Sequence, residues 1–219
     1  MDTVFNLMEK KITALEPQKR NPNRFNVFLD DEFAFGVSRF VGAWLEVGQS
    51  IPEEKIVQLT REDERERALQ IAFRYIGYQP RTESEIRGKL VTSDFSEMLI
   101  DDVISELKDK EYLNDCSFAK QWMESRSESK PRSRYMLSLE LKRKGVDEKI
   151  ISSVLESIPE DIELAMKLGK KYIRKFSNLS DVDFKKKLSG VLSRKGFSYS
   201  ITNEIIFQLL KLRKMEKEK

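Results

Sequence analysis

The feature that most narrows what this chain can fold into is an internal recurrence at 51 residues. Ile86, Leu137 and Leu188 are equivalent in that register, as are Leu90, Leu141 and Leu192. Four residues on stand Asp94, Gly145 and Gly196, then apolar Phe95, Val146 and Phe197, then Ser96, Asp147 and Ser198. The pattern continues with Leu99, Ile150 and Ile201, with Val103, Val154 and Ile205, with Ile104, Leu155 and Ile206, and with Leu107, Ile158 and Leu209. Seven positions are thus apolar in all three copies of a chain that is only 39% apolar. A period of this length reads as stacked small units, each leaning on its neighbours for a core that it is too small to bury alone.

Each copy carries the same local chemistry. Apolar residues four apart face one side of a helix, and a Gly or Asp shortly after them can take the left-handed conformation that stops it. Ser96, Asp147 or Ser198 can then cap a following helix by accepting from its free N–H groups. Each unit is therefore a helix, a tight turn and a helix, with one more helix in front. In unit one, Pro52 is placed to start that front helix and Gly77 to end it, and Thr82 with Glu85 has capping-box spacing for the next helix. The second helix should run to about Thr92 and the third from Ser96 to about Lys110. Unit two opens at Asn114 or Asp115, Pro131 is placed to start its second helix, and Pro159 closes it. In unit three the connection between the first two helices reads as longer, which takes its first helix out of register.

The front of the chain has a different period. Phe25, Val27 and Leu29 alternate with polar neighbours, as do Phe33, Phe35 and Val37, and turn formers fall at Asn21, Pro22 and Asn23 and at Asp30, Asp31 and Glu32. The alternation predicts a small three-stranded antiparallel meander, which needs a helix to pack on. The aromatic segment Phe40 to Val47, with Trp44, is a candidate for that helix. The expected organisation is a mostly α chain with residues 1–51 as a β-rich extension and helical repeats over 52–113, 114–159 and 160–219.

Net charge is only +3, but it is polarised: residues 1–67 carry −3 and 68–116 carry −4, whereas 117–159 carry +3 and 160–219 carry +7. Such asymmetry suits a partner that is negative at one end, or is itself polarised. The strongest local sign of recognition is the segment SRSESKPRSRY, where Arg126, Lys130, Arg132 and Arg134 stand beside Tyr135. Lys142, Arg143 and Lys144 add a basic triplet where unit one has Val91, Thr92 and Ser93. Unit three adds Lys170, Lys171, Arg174, Lys185, Lys186, Lys187, Arg194 and Lys195.

Catalysis has little to stand on. There is no histidine, which removes the usual general base, zinc ligand and triad member, and no P-loop, GxGxxG, HExxH or CxxC motif. The carboxylates from Glu62 to Glu66 alternate with arginines as surface ion pairs do. No cofactor, metal or catalytic residue is expected. Cys116 is the only cysteine, so no internal disulfide is possible and a reducing cytoplasm fits. Cys116, Trp44 and Trp122 read as helix-face or core residues. No apolar run approaches a membrane span, and MDTVFNLMEKK lacks a signal-peptide pattern. Two non-enzymatic readings remain: a repeat scaffold that lies along a polymer or protein filament, and a direct DNA binder built on helix, tight turn and helix.

The stretches ALQIAFRYIGYQPRTESEIRGKL, VISELKDKEYLNDCSFAKQWMESR and LELKRKGVDEKIISSVL carry a resemblance. In order and spacing they are similar to the R-x-x-S-E, Y-L-[ND]-D-x-x-F-A and E-L-x-x-K-G-[IV] elements of the RecX family, bacterial regulators of the RecA recombinase. The resemblance covers Ala68 to Leu210, and departs from the family at Lys130 with Pro131, where Gly-Pro is common. The strand-rich front looks like the N-terminal extension of some Gram-positive members. The resemblance implies an elongated, curved array of three three-helix repeats. It further implies a cytoplasmic monomer that binds in the groove of the RecA filament and lowers its ATPase, strand-exchange and coprotease activities during homologous recombination, DNA repair and the SOS response. Single- or double-stranded DNA is a second candidate partner. The basic residues of units two and three, from Arg126 to Lys195 as named above, are the expected contacts.

Overall fold

The computed structural model describes residues 9–217. The first eight residues, which include most of the stretch inspected for a signal peptide, and the last two of the tail lie outside the described residues. The chain divides into two compact units. The first comprises the described residues up to Tyr78 together with Lys89–Glu106, and the second Gln79–Gly88 together with 107–217.

In the first unit the front of the chain forms β1 (Glu9–Gln18), β2 (Asn21–Leu29), β3 (Glu32–Ser38) and β4 (Ser50–Pro52), an antiparallel sheet of order β3-β2-β1-β4. The meander is therefore present, with a fourth strand too short to show an alternation of its own. Asp30 and Asp31 connect β2 to β3 with φ of 51° and 68°, the double left-handed turn that suits a two-residue hairpin. The other hairpin turns at Lys19 and Arg20 rather than at Asn21 to Asn23. Asn21 instead accepts from the Asn23 N–H at the start of β2, where Pro22 needs no ladder donor.

The segment Phe40 to Val47 is not a helix but a run of turns. Only its Leu45 enters the core; Phe40 is 80% exposed, and Trp44, expected inside, is 44% exposed with the Lys55 ammonium over its ring. The sheet packs instead on α1 (Glu53–Tyr78): Leu59 is buried with Ile12, Val27, Leu29, Phe35, Val37 and Ile51. Asp63 of α1, also buried, accepts from the Arg24 guanidinium at 2.6 Å and from the Ser38 N–H at 2.7 Å, so one carboxylate ties the helix to two strands. Helix α1 continues through Gly77 to Tyr78. Gly77 has no positive φ, so it is not the stop that its place in the sequence suggests.

The three repeats are α1 with α2 (Glu83–Val91) and α3 (Glu97–Asp109); α4 (Asp115–Ser129) with α5 (Arg134–Arg143) and α6 (Glu148–Leu155); and α7 (Asp161–Lys175) with α8 (Asp181–Arg194) and α9 (Tyr199–Lys217). Most of the recurring apolar positions are buried, while Leu99, Ile150 and Ile201 are half-buried in all three copies. Ile86, Leu137, Leu188, Leu90, Leu141 and Leu192 have no exposure at all.

The stop after the second helix is built identically in each repeat. The N–H groups of Phe95, Val146 and Phe197 reach back to the carbonyls of Leu90, Leu141 and Leu192, and those of Asp94, Gly145 and Gly196 to the carbonyls of Val91, Lys142 and Ser193. This is the Schellman pairing, with φ of 63°, 76° and 85° at its left-handed residue. Ser96, Asp147 and Ser198 then cap the next helix, and Thr82 and Glu85 exchange the reciprocal bonds of a capping box. Two expectations shift. Ser133, not Pro131, is the cap of α5, and Pro131 is buried in the preceding connection. The register change in repeat three lies mostly in α8, which at 14 residues is one turn longer than the 10-residue α5, and not in the loop before it.

Within the second unit the repeats are joined by a contact that itself recurs. The Thr82 hydroxyl donates to the Lys144 carbonyl at 2.6 Å, and 51 residues later the Ser133 N–H donates to the Lys195 carbonyl at 3.0 Å. Asp115, the first residue of α4, accepts from the Glu83 N–H; Asp161, the first of α7, accepts from the Arg134 N–H. At the same places Gly145 lies against Ser84 and Gly196 against Ser133 and Met136, so closely that a Cβ on either glycine would collide.

Lys144 Nζ adds an ion pair to Glu85 at 2.9 Å. Burial pushes the Glu85 carboxyl up, but the hydrogen bond and charge of Lys144, the Thr82 N–H and the Arg81 charge together hold it below its ordinary 4.5. Asp115 goes the other way: burial holds it above its ordinary 3.8 despite the Glu83 N–H.

Two outcomes follow. Of the three stops after the second helices Asp94 is the non-glycine one, so Asp94→Gly should add roughly 1 kcal/mol in urea unfolding, and a loss of stability would show the stop to be unstrained. Because the folded pKa of Glu85 lies below its unfolded value, its ion pair stabilises above the unfolded value and fades as pH falls through the folded one. Glu85→Gln should therefore cost about 1 kcal/mol at neutral pH and progressively less as pH falls through the folded pKa; a pH-independent difference would exclude the pair as its cause.

Candidate partner-binding surface

The basic segment between α4 and α5 folds around one carboxylate. Glu140 of α5 accepts from the Arg132 guanidinium and from Trp122 Nε1 at 3.1 Å, and pairs with Arg126 at 3.6 Å. The Arg126 guanidinium lies 4.4 Å from the centroid of the Trp122 ring, and Lys144 Nζ lies 4.8 Å from the same ring and 5.3 Å from that of Phe118. Trp122 stacks on Phe118 at 5.8 Å. Trp122 is thus half-buried on the face of α4, as its spacing predicts.

Other expected contacts are also engaged within the chain. Arg134 donates to the carbonyls of Ile158 and Pro159 at 2.6 and 3.3 Å, closing the end of repeat two. Lys171 Nζ donates to the carbonyls of Glu128 and Ser129, the free end of α4, where a cation is favoured. Beside it Lys167 pairs with Glu128 at 2.5 Å and lowers that carboxyl below its usual range. Lys142 pairs with Glu148 at 2.6 Å, and Lys187 lies 6.0 Å from the centroid of the Phe176 ring. Lys195 is half-buried, its carbonyl bound by Ser133.

What remains turned to solvent is a smaller set: Lys130, Arg143, Lys170, Arg174, Lys185, Lys186 and Arg194, with Tyr135 at 65% exposure. Among the described residues the side chains of these seven cations make no hydrogen bond or ion pair. Lys170 and Arg174 are four apart on α7, Lys185 and Lys186 are adjacent on α8, and Arg143 and Arg194 are repeat equivalents in the last turn of α5 and of α8. Glu140 was not foreseen, although the signal was there: it is the only acidic residue between Lys130 and Gly145. Among the described residues no group of three His, Cys, Asp or Glu could hold a metal ion, and no helix is long and apolar enough to cross a membrane.

Glu140→Gln keeps shape and one acceptor but leaves two half-buried arginines without a counter-charge. It should cost roughly 1 to 3 kcal/mol in urea unfolding, whereas Lys185→Glu should cost almost nothing; equal effects would mean that Glu140 is not a structural anchor.

Comparison with known proteins agrees with this architecture element by element. Residues 10–52 match the regulatory protein RecX N-terminal domain, and 68–107, 114–155 and 159–206 match the first, second and third three-helix domains of RecX. The regulatory protein RecX of Bacillus velezensis is 32% identical over 201 residues, which span 90% of this chain and 76% of that one. A crystal structure of regulatory protein RecX superposes with a TM-score of 0.63 at 28% identity, covering 90% of this chain and 98% of that one. The crystal structure of RecX from Lactobacillus salivarius gives 0.58 at 28% identity, covering 68% of this chain and 97% of the other. With a β-rich front, three helical repeats and matches over each of these parts in order, the chain belongs to the RecX family of regulatory proteins.

Proposed function

We propose that this protein is a non-enzymatic regulator that binds the RecA nucleoprotein filament in the cytoplasm and lowers its recombinase, ATPase and coprotease activities during DNA repair. Membership of a family named for regulation supports the class of function. The single observation that carries the surface is the sorting of cations: of the fifteen basic residues expected as contacts, seven are exposed and make no hydrogen bond, ion pair or ring contact among the described residues. Cations already neutralised by Glu140 or by helix-end carbonyls add little to the field that a polyanion meets, whereas unpaired ones add fully. Lys130, Arg143, Lys170, Arg174, Lys185, Lys186 and Arg194, with Tyr135, are therefore the proposed contacts, and Arg126, Arg132, Arg134, Lys144 and Lys171 support them by holding the fold.

Direct base reading by a helix-turn-helix is less well supported. In repeat two the helix after the tight turn, α6, exposes Glu148, Lys149, Ser152 and Ser153, and so offers one cation where a recognition helix entering a groove needs several.

The test is co-sedimentation with preformed RecA filaments, run beside bare single-stranded DNA, together with RecA-driven ATP hydrolysis and strand exchange. Reversing Lys170, Arg174, Lys185 and Lys186 to Glu should weaken filament binding by about tenfold or more and relieve inhibition at unchanged thermal stability. Full inhibition by that variant would remove the surface assignment. Retention on bare DNA equal to retention on filaments, and lost in the same four-site variant, would favour the DNA-binding reading instead.

A further inference from the structure

The first unit is acidic by composition, yet it gathers positive charge and aromatic side chains on one helix face. In α1 four of the five residues from Glu62 to Glu66 are acidic, whereas none from Arg67 to Tyr78 is. Arg67, Ile71, Arg74 and Tyr78 recur at the three- and four-residue spacing of a single helical stripe, roughly 16 Å long at 1.5 Å per residue. Two adjoining clefts, of about 540 and 380 Å³, share Ile71 and Arg74. The larger adds Tyr78, Lys89 and Ser93, and the smaller adds Arg67, Gln70 and the β2 residues Asn21 and Asn23. No aspartate or glutamate is among the described residues that line either cleft.

The carboxylates of α1 just before the stripe include two that are engaged: Asp63 is buried against Arg24 and the Ser38 N–H, and Glu66 accepts from Gln70. The cations are not. Arg74 and Lys89 are exposed and make no ion pair among the described residues, and Arg67 leans over the Phe95 ring at 5.7 Å, which orients its guanidinium without neutralising it. Tyr78 is 81% exposed, the most exposed large apolar side chain among the described residues of this unit.

We infer that this stripe is a binding site for single-stranded nucleic acid, separate from the basic face of repeats two and three. Arg67, Arg74 and Lys89 follow the phosphates, Tyr78 offers a ring on which an unpaired base stacks, and the Asn21 and Asn23 amides supply neutral hydrogen bonds at one end. An exposed aromatic between spaced cations in a cleft free of carboxylates is what a strand with accessible bases requires, and a duplex, whose bases are stacked on one another, cannot use the ring. An acidic protein segment would use the cations but would gain little from Tyr78.

The experiment measures fluorescence anisotropy of a labelled oligothymidylate about fifteen nucleotides long on the full chain, with a duplex of the same length and heparin as comparison probes. Arg67→Glu with Arg74→Glu should weaken oligothymidylate binding by about tenfold or more and flatten its salt slope by roughly 1.4. Tyr78→Ala should weaken it by roughly fivefold or more and leave heparin binding unchanged, with Tyr78→Phe within about twofold of the parent. A 5-iodouridine strand should crosslink to the α1 peptide that carries Tyr78. Crosslinks confined to repeats two and three, or unchanged affinity in the arginine variant, would overturn the site. Loss of heparin and oligothymidylate binding in parallel, with Tyr78→Ala silent, would also overturn it in favour of an acidic protein partner. No filament is present in these measurements, so their outcome is independent of filament regulation.

Discussion

The array depends on what happens where one repeat meets the next. In the second unit the N-terminus of a second helix has free N–H groups, and the Schellman turn of the following repeat presents carbonyls that its own helix leaves over. Setting one against the other satisfies both, through Thr82 with Lys144 and through Ser133 with Lys195. The aspartates that begin α4 and α7 take up the next N–H in line, at Glu83 and Arg134. Because the contact is made by backbone and short side chains, it leaves almost no room, and glycine is required at 145 and 196 for approach as much as for its positive φ. One residue type meets two constraints there: it stops its own helix and seats the neighbouring one.

That double role explains which parts of the fold were legible in the sequence. The apolar triples, the stops at Asp94, Gly145 and Gly196, the caps at Ser96, Asp147 and Ser198 and the Thr82 to Glu85 box are local, and local chemistry leaves a local pattern. The junctions are not local. Glu85 meets Lys144 across 59 residues and Arg134 meets Asp161 across 27, and no period announces either. The same limit affected the front of the chain, where β4 is three residues long and shows no alternation, and where the aromatic segment Phe40 to Val47 reads as a candidate helix but forms turns. What covers the sheet is Leu59 with half-buried Ile56, in the half of α1 whose sequence is dense in charge.

At the candidate surface the cations of the basic loop are mostly engaged within the chain, whereas several on the helices are not. Arg126, Arg132, Arg134 and Lys144 look like free charge when counted along the chain, yet Glu140, Glu85 and the carbonyls of Ile158 and Pro159 engage them. Half-buried cations of this kind are placed where desolvation is partial and the partner is fixed, so removing the partner is costly while the pair itself projects little field. Lys170, Arg174, Lys185 and Lys186, on α7 and α8 and without counter-charges, keep their full electrostatic reach.

Repeat arithmetic separates the two classes more sharply than charge counting. A residue that recurs at the same register position in each copy and is buried, such as Leu90, Leu141 and Leu192, answers to the fold. A cation that the first copy lacks has two possible reasons to exist, and only its partner decides between them. Lys144 replaces Ser93 and is held by Glu85 and two aromatic rings, so its departure from the repeat serves the junction. Arg143 replaces Thr92, recurs as Arg194, and among the described residues has no partner, so its departure is toward solvent. Adjacent residues of one basic triplet thus divide between cohesion and exposure to solvent, and the division follows the direction that successive positions take around a helix end rather than their shared charge.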